Sequence, residues 1–122
     1  MEITYNPADI GRIRWGKPVI VLTNRSTFSA ANNFASVMKL LPGVRLVGAT
    51  TGGGSGMPYS SELPNGWGVR FSACSMLDAE GRSTEAGVEP TEGCAVDMDP
   101  LQALSGKDTI LEFALDLLQN PR

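Results

Sequence analysis

Val19-Ile20-Val21-Leu22-Thr23, Asn24-Arg25-Ser26-Thr27 and Phe28-Ser29-Ala30-Ala31-Asn32-Asn33-Phe34 form the stretch that decides the fold of this 122-residue chain. The first five residues are a continuous apolar run, the kind of strand buried on both faces of an α/β sheet. Asn24-Arg25-Ser26 turns the chain. From Phe28 to Leu41, apolar residues fall at Phe28, Ala31, Phe34, Ala35, Met38 and Leu41, which is helical spacing with one apolar face. Pro42-Gly43 stops that helix. Val44 to Val47 is a second buried strand, ending at Gly48. Strand, helix and strand within about thirty residues make a βαβ unit, with parallel strands and a right-handed crossover expected.

Ser29 is the first candidate for chemistry. It stands at the start of the helix, where backbone N–H groups lack partners and the helix dipole favours negative charge. A serine there can attack a carbonyl while the N–H of Ala30 holds the developing oxyanion. Ala30 and Ala31 are small and let substrate come close. The competing reading is that Ser26, Thr27 or Ser29 simply caps the helix. The pattern is not Gly-x-Ser-x-Gly, so an α/β-hydrolase elbow is not supported. The chain has no histidine, so the usual base for a serine nucleophile is absent.

Composition narrows the function classes. The length suits one domain with a modest core. Hydrophobic residues make up 42% and charged residues 19%, as in ordinary globular proteins. Ten Lys and Arg against thirteen Asp and Glu give a net charge of −3, which argues against a nucleic-acid surface. No apolar run approaches the length of a membrane span. The first residues do not read as a signal peptide. Cys74 and Cys94 lie apart without a Cys-x-x-Cys motif, and without histidine no zinc site is indicated. They read as two small, semi-buried side chains. No metal or cofactor is expected.

The rest of the chain divides at its turn residues. Residues 1–17 read as a lead-in segment that packs on something else, and 18–122 as the domain proper. Thr50-Thr51-Gly52-Gly53-Gly54-Ser55-Gly56 is a glycine-dense loop. Tyr59 to Leu63 and Trp67 to Cys74 flank Pro64-Asn65-Gly66, a hairpin signal. Asp78-Ala79-Glu80-Gly81 is a second turn, and Thr84 to Pro90 is irregular. Asp99-Pro100 reads as N-cap and first position of a short helix that Gly106 ends. Thr109-Ile110-Leu111-Glu112 reads as a capping box. It opens a last helix bearing Ile110, Leu111, Ala114, Leu115, Leu117 and Leu118.

The glycine loop lacks Gly-Lys-Ser/Thr and the dinucleotide spacing, so it is neither a phosphate cradle nor a Rossmann fingerprint. It lets a backbone or a substrate pass closely, or it is a plain connector. Glu85 is either a carboxylate that orients a histidine or an exposed loop glutamate. Glu62, Asp78, Glu80 and Glu92 read as solvated turn or rim charges. Trp15, Trp67, Tyr59 and Phe71 are expected to cover the hairpin and the core.

Taken in order, four segments resemble one family: Val19 to Asn24, Ser26 to Phe34, Val47-Gly48-Ala49-Thr50-Thr51-Gly52-Gly53-Gly54, and Glu85-Ala86-Gly87-Val88-Glu89-Pro90. The chain resembles the tail-specific, or carboxy-terminal processing, serine peptidases over roughly residues 17–97. The resemblance implies a partial ClpP/crotonase-like α/β fold, with the βαβ core joined by a β-hairpin and C-terminal helices. It places Ser29 at the nucleophile position and the Ala30 N–H in the oxyanion hole. Gly52, Gly53 and Gly54 fall in the substrate-binding loop. One branch of the family carries a lysine base near Gly54; no lysine stands in this loop, which excludes a Ser-Lys dyad. The tricorn-like branch uses Ser, His and Glu, and Glu85 is the nearest match to its glutamate. Glu85 lies two residues before Gly87, where that pattern has three.

The family's histidine lies upstream of the nucleophile, as does a glycine that completes the oxyanion hole. The resemblance therefore implies the C-terminal half of a catalytic domain whose partners are a missing N-terminal half and a polypeptide substrate. Proteolysis through an acyl-enzyme, in a bacterial envelope or periplasmic setting, is what the family suggests. The isolated chain is expected to be inactive. The alternative is a non-catalytic relative that binds a peptide or small ligand.

Overall fold

The computed structural model describes residues 15–120. The expected lead-in segment lies largely outside the described residues. Strand β1 spans Val19–Thr23, helix α1 Ala30–Met38 and strand β2 Val44–Gly48. Strands β3 (Pro58–Glu62) and β4 (Gly68–Ser72) follow, then helices α2 (Pro100–Leu104) and α3 (Thr109–Gln119). β1 and β2 pair in parallel, from Val19 opposite Val44 to Thr23 opposite Gly48, with α1 as the crossover. Gly48 also bridges in parallel to Ala95. Its N–H donates to the Cys94 carbonyl at 3.2 Å, and the Val96 N–H donates to its carbonyl at 3.0 Å.

Strand side chains alternate between the two faces of this sheet. On one face Leu46 and Val21 pack with Ala35 and Met38 of α1 and with Val88. On the other, Val47 and Ile20 pack with Cys94 and with Ile110, Phe113, Ala114 and Leu117 of α3. The sheet is therefore the middle layer between two helices. Leu46 and Val47 are fully enclosed. Truncating Leu46 to alanine costs ~2–5 kcal/mol by lost transfer energy and cavity formation.

Several expectations are corrected. β1 is not buried on both faces: Leu22 is 42% exposed. Leu22 shares the α3 face with Ile20, but only Ile20 is among the side chains packed there. The inward face of α1 is Asn32 and Ala35, followed by Met38, while Phe28 and Phe34 are more than half exposed. The helix begins at Ala30 rather than Phe28, and its contact stripe is rotated off the phenylalanines. On α3, Ile110 and Ala114 are buried, whereas Leu111, Leu115 and Leu118 face outward.

β3 and β4 form the expected antiparallel hairpin. A three-residue loop closes it, with the Gly66 N–H on the Leu63 carbonyl at 2.8 Å and Gly66 at φ 83°. Only glycine adopts that conformation without strain. The hairpin stands clear of the core. Trp67, Tyr59 and Phe71 are exposed, as is Trp15, so the aromatics do not cover the core. Tyr59 and Phe71 pair across the strands with ring centroids 5.8 Å apart. Such a tilted cross-strand pair stabilises the hairpin directly.

Asp99 caps α2 as expected, accepting from the N–H groups of Leu101 and Gln102. The α3 cap differs from the expected box. Asp108, one residue earlier than Thr109, accepts from the Ile110 and Leu111 N–H groups. The Thr109 hydroxyl instead donates to the Asp97 carbonyl at 3.0 Å. An aspartate cap gains from the dipole that a neutral threonine does not feel.

Candidate functional site

The site lies beyond the carboxyl ends of β1 and β2, where open parallel sheets place their crevices. The chain leaving β1 turns through Asn24 to Thr27. In that turn the Ser26 N–H donates to Asn24 Oδ1 at 2.8 Å, and the Asn24 N–H donates to Thr27 Oγ1 at 3.1 Å. The Thr27 hydroxyl thus holds the turn and does not cap α1.

Ser29 follows with φ 57° and ψ −118°, the only non-glycine residue at positive φ among the described residues. This conformation costs ~1–3 kcal/mol and persists only where its surroundings impose it. A serine that caps a helix sits in the extended region and accepts an N–H from the first turn. Asp99 at φ −80° and Asp108 at φ −98° do so. Ser29 makes no such side-chain bond and is exposed to solvent. The capping reading therefore does not hold. Sharp strand-to-helix turns of this kind lift a side chain out of the backbone and present it to a ligand.

What imposes the turn is the glycine loop that leaves β2. The Ser29 N–H donates to the Gly53 carbonyl at 2.8 Å, and the Gly52 N–H donates to the Thr27 carbonyl at 2.8 Å. Phe28 and Gly53 form a parallel bridge. On its other side the Gly54 N–H donates to the Glu85 carbonyl at 3.1 Å. The loop is thus clamped between the serine turn and the Glu85 segment. A β-carbon at Gly53 would overlap the Glu85 carbonyl, and one at Gly52 the Arg25 carbonyl. At Gly54 it would overlap the Phe28 ring. These overlaps explain the glycines: the loop is a close-approach element, not a plain connector.

Ala30 is the first residue of α1, and its N–H meets no acceptor among the described residues. Beside an exposed Ser29 Oγ, this free donor at a helix N-terminus is available to an oxygen anion.

Glu85 is an exposed loop glutamate, yet its carboxylate is held on both oxygens. Its Oε2 accepts from the Gly56 N–H at 2.9 Å and its Oε1 from the Ser72 hydroxyl at 3.0 Å. The carboxylate borders a cleft of 340 Å³ lined by Ser72, Ala73, Cys74, Ser75 and Ser83. Among the described residues no hydrogen bond joins Glu85 to Ser29 directly. The two are linked through the loop between them.

Asn32, quoted above only as part of a motif, proves central. It is fully buried. Its Nδ2 donates to the Thr84 carbonyl at 2.9 Å and to the Ser55 hydroxyl, and its Oδ1 accepts from the Thr51 hydroxyl. Thr51 Oγ1 in turn accepts from the Val88 N–H at 2.6 Å. The signal was present in the sequence: two adjacent asparagines inside a helix, where asparagine is a poor former.

Other charges lie elsewhere. Asp78 accepts from the N–H groups of Glu80 and Arg82 and from Arg82 Nε, so it is not merely a solvated rim charge. The Arg82 N–H, followed by its guanidinium, holds the Asp78 carboxyl below the usual carboxylate range. Lys39 donates to the Glu89 carbonyl at 2.8 Å, and Lys17 lies over the Trp15 ring. Among the described residues no group of three or more His, Cys, Asp or Glu could hold a metal.

Comparison with known proteins identifies the family and the fold. The profile of peptidase family S41 matches residues 2–93. The crystal structure of a candidate peptidase from Parabacteroides merdae ATCC 43184 is 55% identical with TM-score 0.81, over 88% of this chain and 33% of that one. CPAF in complex with lactacystin is 28% identical with TM-score 0.58, over 65% of this chain and 16% of that one. Mature CPAF, 22% identical with TM-score 0.68 over 90% of this chain, shows the fold alone. A protein of Chlamydia trachomatis serovar D is 34% identical over 65 residues, 53% of this chain and 10% of that protein. The chain thus spans a third or less of each protein it matches here. The α/β architecture is part of a ClpP/crotonase-like fold.

Proposed function

This chain belongs to peptidase family S41, and we propose that it carries the nucleophile-bearing part of a serine peptidase's catalytic domain. The observation that carries the reading is the backbone of Ser29, held at φ 57° with its hydroxyl exposed and uncommitted to capping. In this reading Ser29 Oγ attacks the scissile carbonyl carbon of a polypeptide. Its proton passes to a base, the carbonyl oxygen becomes an oxyanion, and the Ala30 N–H donates to it. Collapse expels the amine, which takes the proton, and leaves an acyl-enzyme for water to hydrolyse. Loss of one oxyanion donor costs roughly 10²–10³-fold in rate.

The base is a histidine supplied by residues outside this sequence, which contains none. Glu85 orients it. A carboxylate has about four acceptor sites, and Gly56 and Ser72 take one on each oxygen. Capacity for an imidazole N–H remains. The Glu85 fixation by a backbone N–H and a hydroxyl supports a positioned carboxylate, as this role requires.

The test is covalent labelling of the full-length protein with a fluorophosphonate, with Ser29→Ala and Glu85→Gln as variants. Wild type labels, Ser29→Ala does not, and Glu85→Gln labels slower by about 10²-fold or more. The 122-residue chain alone stays unlabelled. Ser29-dependent hydrolysis by that chain alone would remove the need for an outside base. An unreactive full-length wild type would leave ligand binding as the function.

A further inference from the structure

We infer that Asn32 is a positioning residue, the buried clamp that fixes Ser29 and Glu85 relative to each other. This rests on the serine reading above. Asn32 lies in the first turn of α1, three positions after Ser29, so the helix backbone ties the two rigidly. Its amide nitrogen holds the Thr84 carbonyl, one residue before Glu85. The same amide holds Ser55 and Thr51, which bracket Gly52, Gly53 and Gly54 at both ends. One side chain therefore anchors the serine turn, the glutamate segment and both ends of the loop between them.

The consequence follows from geometry. The Gly53 carbonyl that imposes the Ser29 turn and the Gly54 N–H that holds the Glu85 backbone have no side chains to pack them. Their positions are set by backbone bonds to the segments on either side and by the two ends of the loop, and Asn32 holds both ends through side-chain hydrogen bonds. Every polar atom of the amide is used, and no buried side-chain polar atom among the described residues lacks a partner. A fully satisfied buried network of this kind selects one arrangement over near alternatives. Simple core packing would be met by an apolar side chain of the same size. A reaction that is sensitive to displacements of about 1 Å would not.

The experiment measures kcat and KM for peptide hydrolysis by the full-length protein, per folded molecule by circular dichroism. The variants are Asn32→Ala, Thr51→Val, Ser55→Ala and Thr51→Ser. Thr51→Val removes the hydroxyl at nearly constant size, and Thr51→Ser keeps it. Asn32→Ala and Thr51→Val should lower kcat by about 10–100-fold with KM changed less than about twofold. Thr51→Ser should recover most of the loss. The double variant Asn32→Ala/Thr51→Val should lose no more than the worse single one, since both cut the same network. If Asn32→Ala does not fold, Thr51→Val and Ser55→Ala decide. Wild-type kcat per folded molecule in these variants would overturn the inference and leave the serine reading standing. A wild type that does not react at Ser29 would remove both.

Discussion

Ser29 and Gly53 are joined by one backbone hydrogen bond of 2.8 Å, from the serine N–H to the glycine carbonyl. It couples the turn after β1 to the loop after β2. Ser29 is thereby held where serine does not rest by itself, at φ 57°. The strain at Ser29 and the absence of a side chain at Gly53 are two sides of one arrangement.

Replacing Ser29 with glycine should stabilise the chain by about 1 kcal/mol, because glycine adopts the positive φ freely and the relief outweighs its unfolded-state entropy. Ser29→Val should destabilise it by more than that, as β-branched residues are poorest at positive φ. Urea unfolding of both variants gives the comparison. A wild type more stable than Ser29→Gly would mean that the turn is unstrained.

Gly53→Ala and Gly54→Ala should differ although both glycines sit at positive φ, 74° and 68°. At Gly54 the obstacle is the outer edge of the half-exposed Phe28 ring, which can swing away. Its cost is about 1 kcal/mol, from backbone conformation alone. At Gly53 the obstacle is the Glu85 backbone carbonyl, which cannot move without breaking the loop. Its cost should reach about 3 kcal/mol or more. Thermal melting of the pair tests this ordering.

Acid should weaken the turn at Asp78. Its carboxyl is held low, first by the Arg82 N–H and then by the Arg82 guanidinium. A depressed folded-state value stabilises above the unfolded carboxylate value, about 4, and is lost as pH falls through the folded value. The stability gap between wild type and Asp78→Asn should therefore be present at about pH 6 and close below about pH 4. Because Arg82 is exposed, the gap should be small and partly screened by salt. A gap that widens in acid would reverse the sign of the argument.

The two cysteines should react in separate phases. Cys74 is exposed and Cys94 is buried in the core beside Val47 and Ile110. A thiol reagent should titrate one equivalent rapidly in the native chain and the second only in denaturant. Two fast equivalents would place Cys94 outside the core.

Local pattern carried much of the fold. The apolar run of β1, the break at Pro42-Gly43 and the run of β2 gave the parallel strand–helix–strand unit, because period and punctuation are local properties. The face of α1 that packs inward was not legible. Phe34 outweighs Asn32 in any hydrophobic count, yet Asn32 is buried and Phe34 exposed, because hydrogen bonds with both ends of the glycine loop and with the Thr84 carbonyl converge on the asparagine. Likewise Tyr59, Trp67 and Phe71 carry core-like chemistry but sit on a hairpin that leaves the core.

The α/β class, the glycines of the loop, the serine at the head of α1 and the absence of a histidine can all be read from the chain before it folds. These are properties of residue identity and order. That Ser29 is not a cap, that Glu85 is held by Gly56 and Ser72, and that Asn32 ties both to one loop emerges with the folded chain. Those facts depend on φ angles and on contacts across 13 to 52 positions of the chain. Such long-range pairings exist only once the sheet has brought the carboxyl ends of β1 and β2 together.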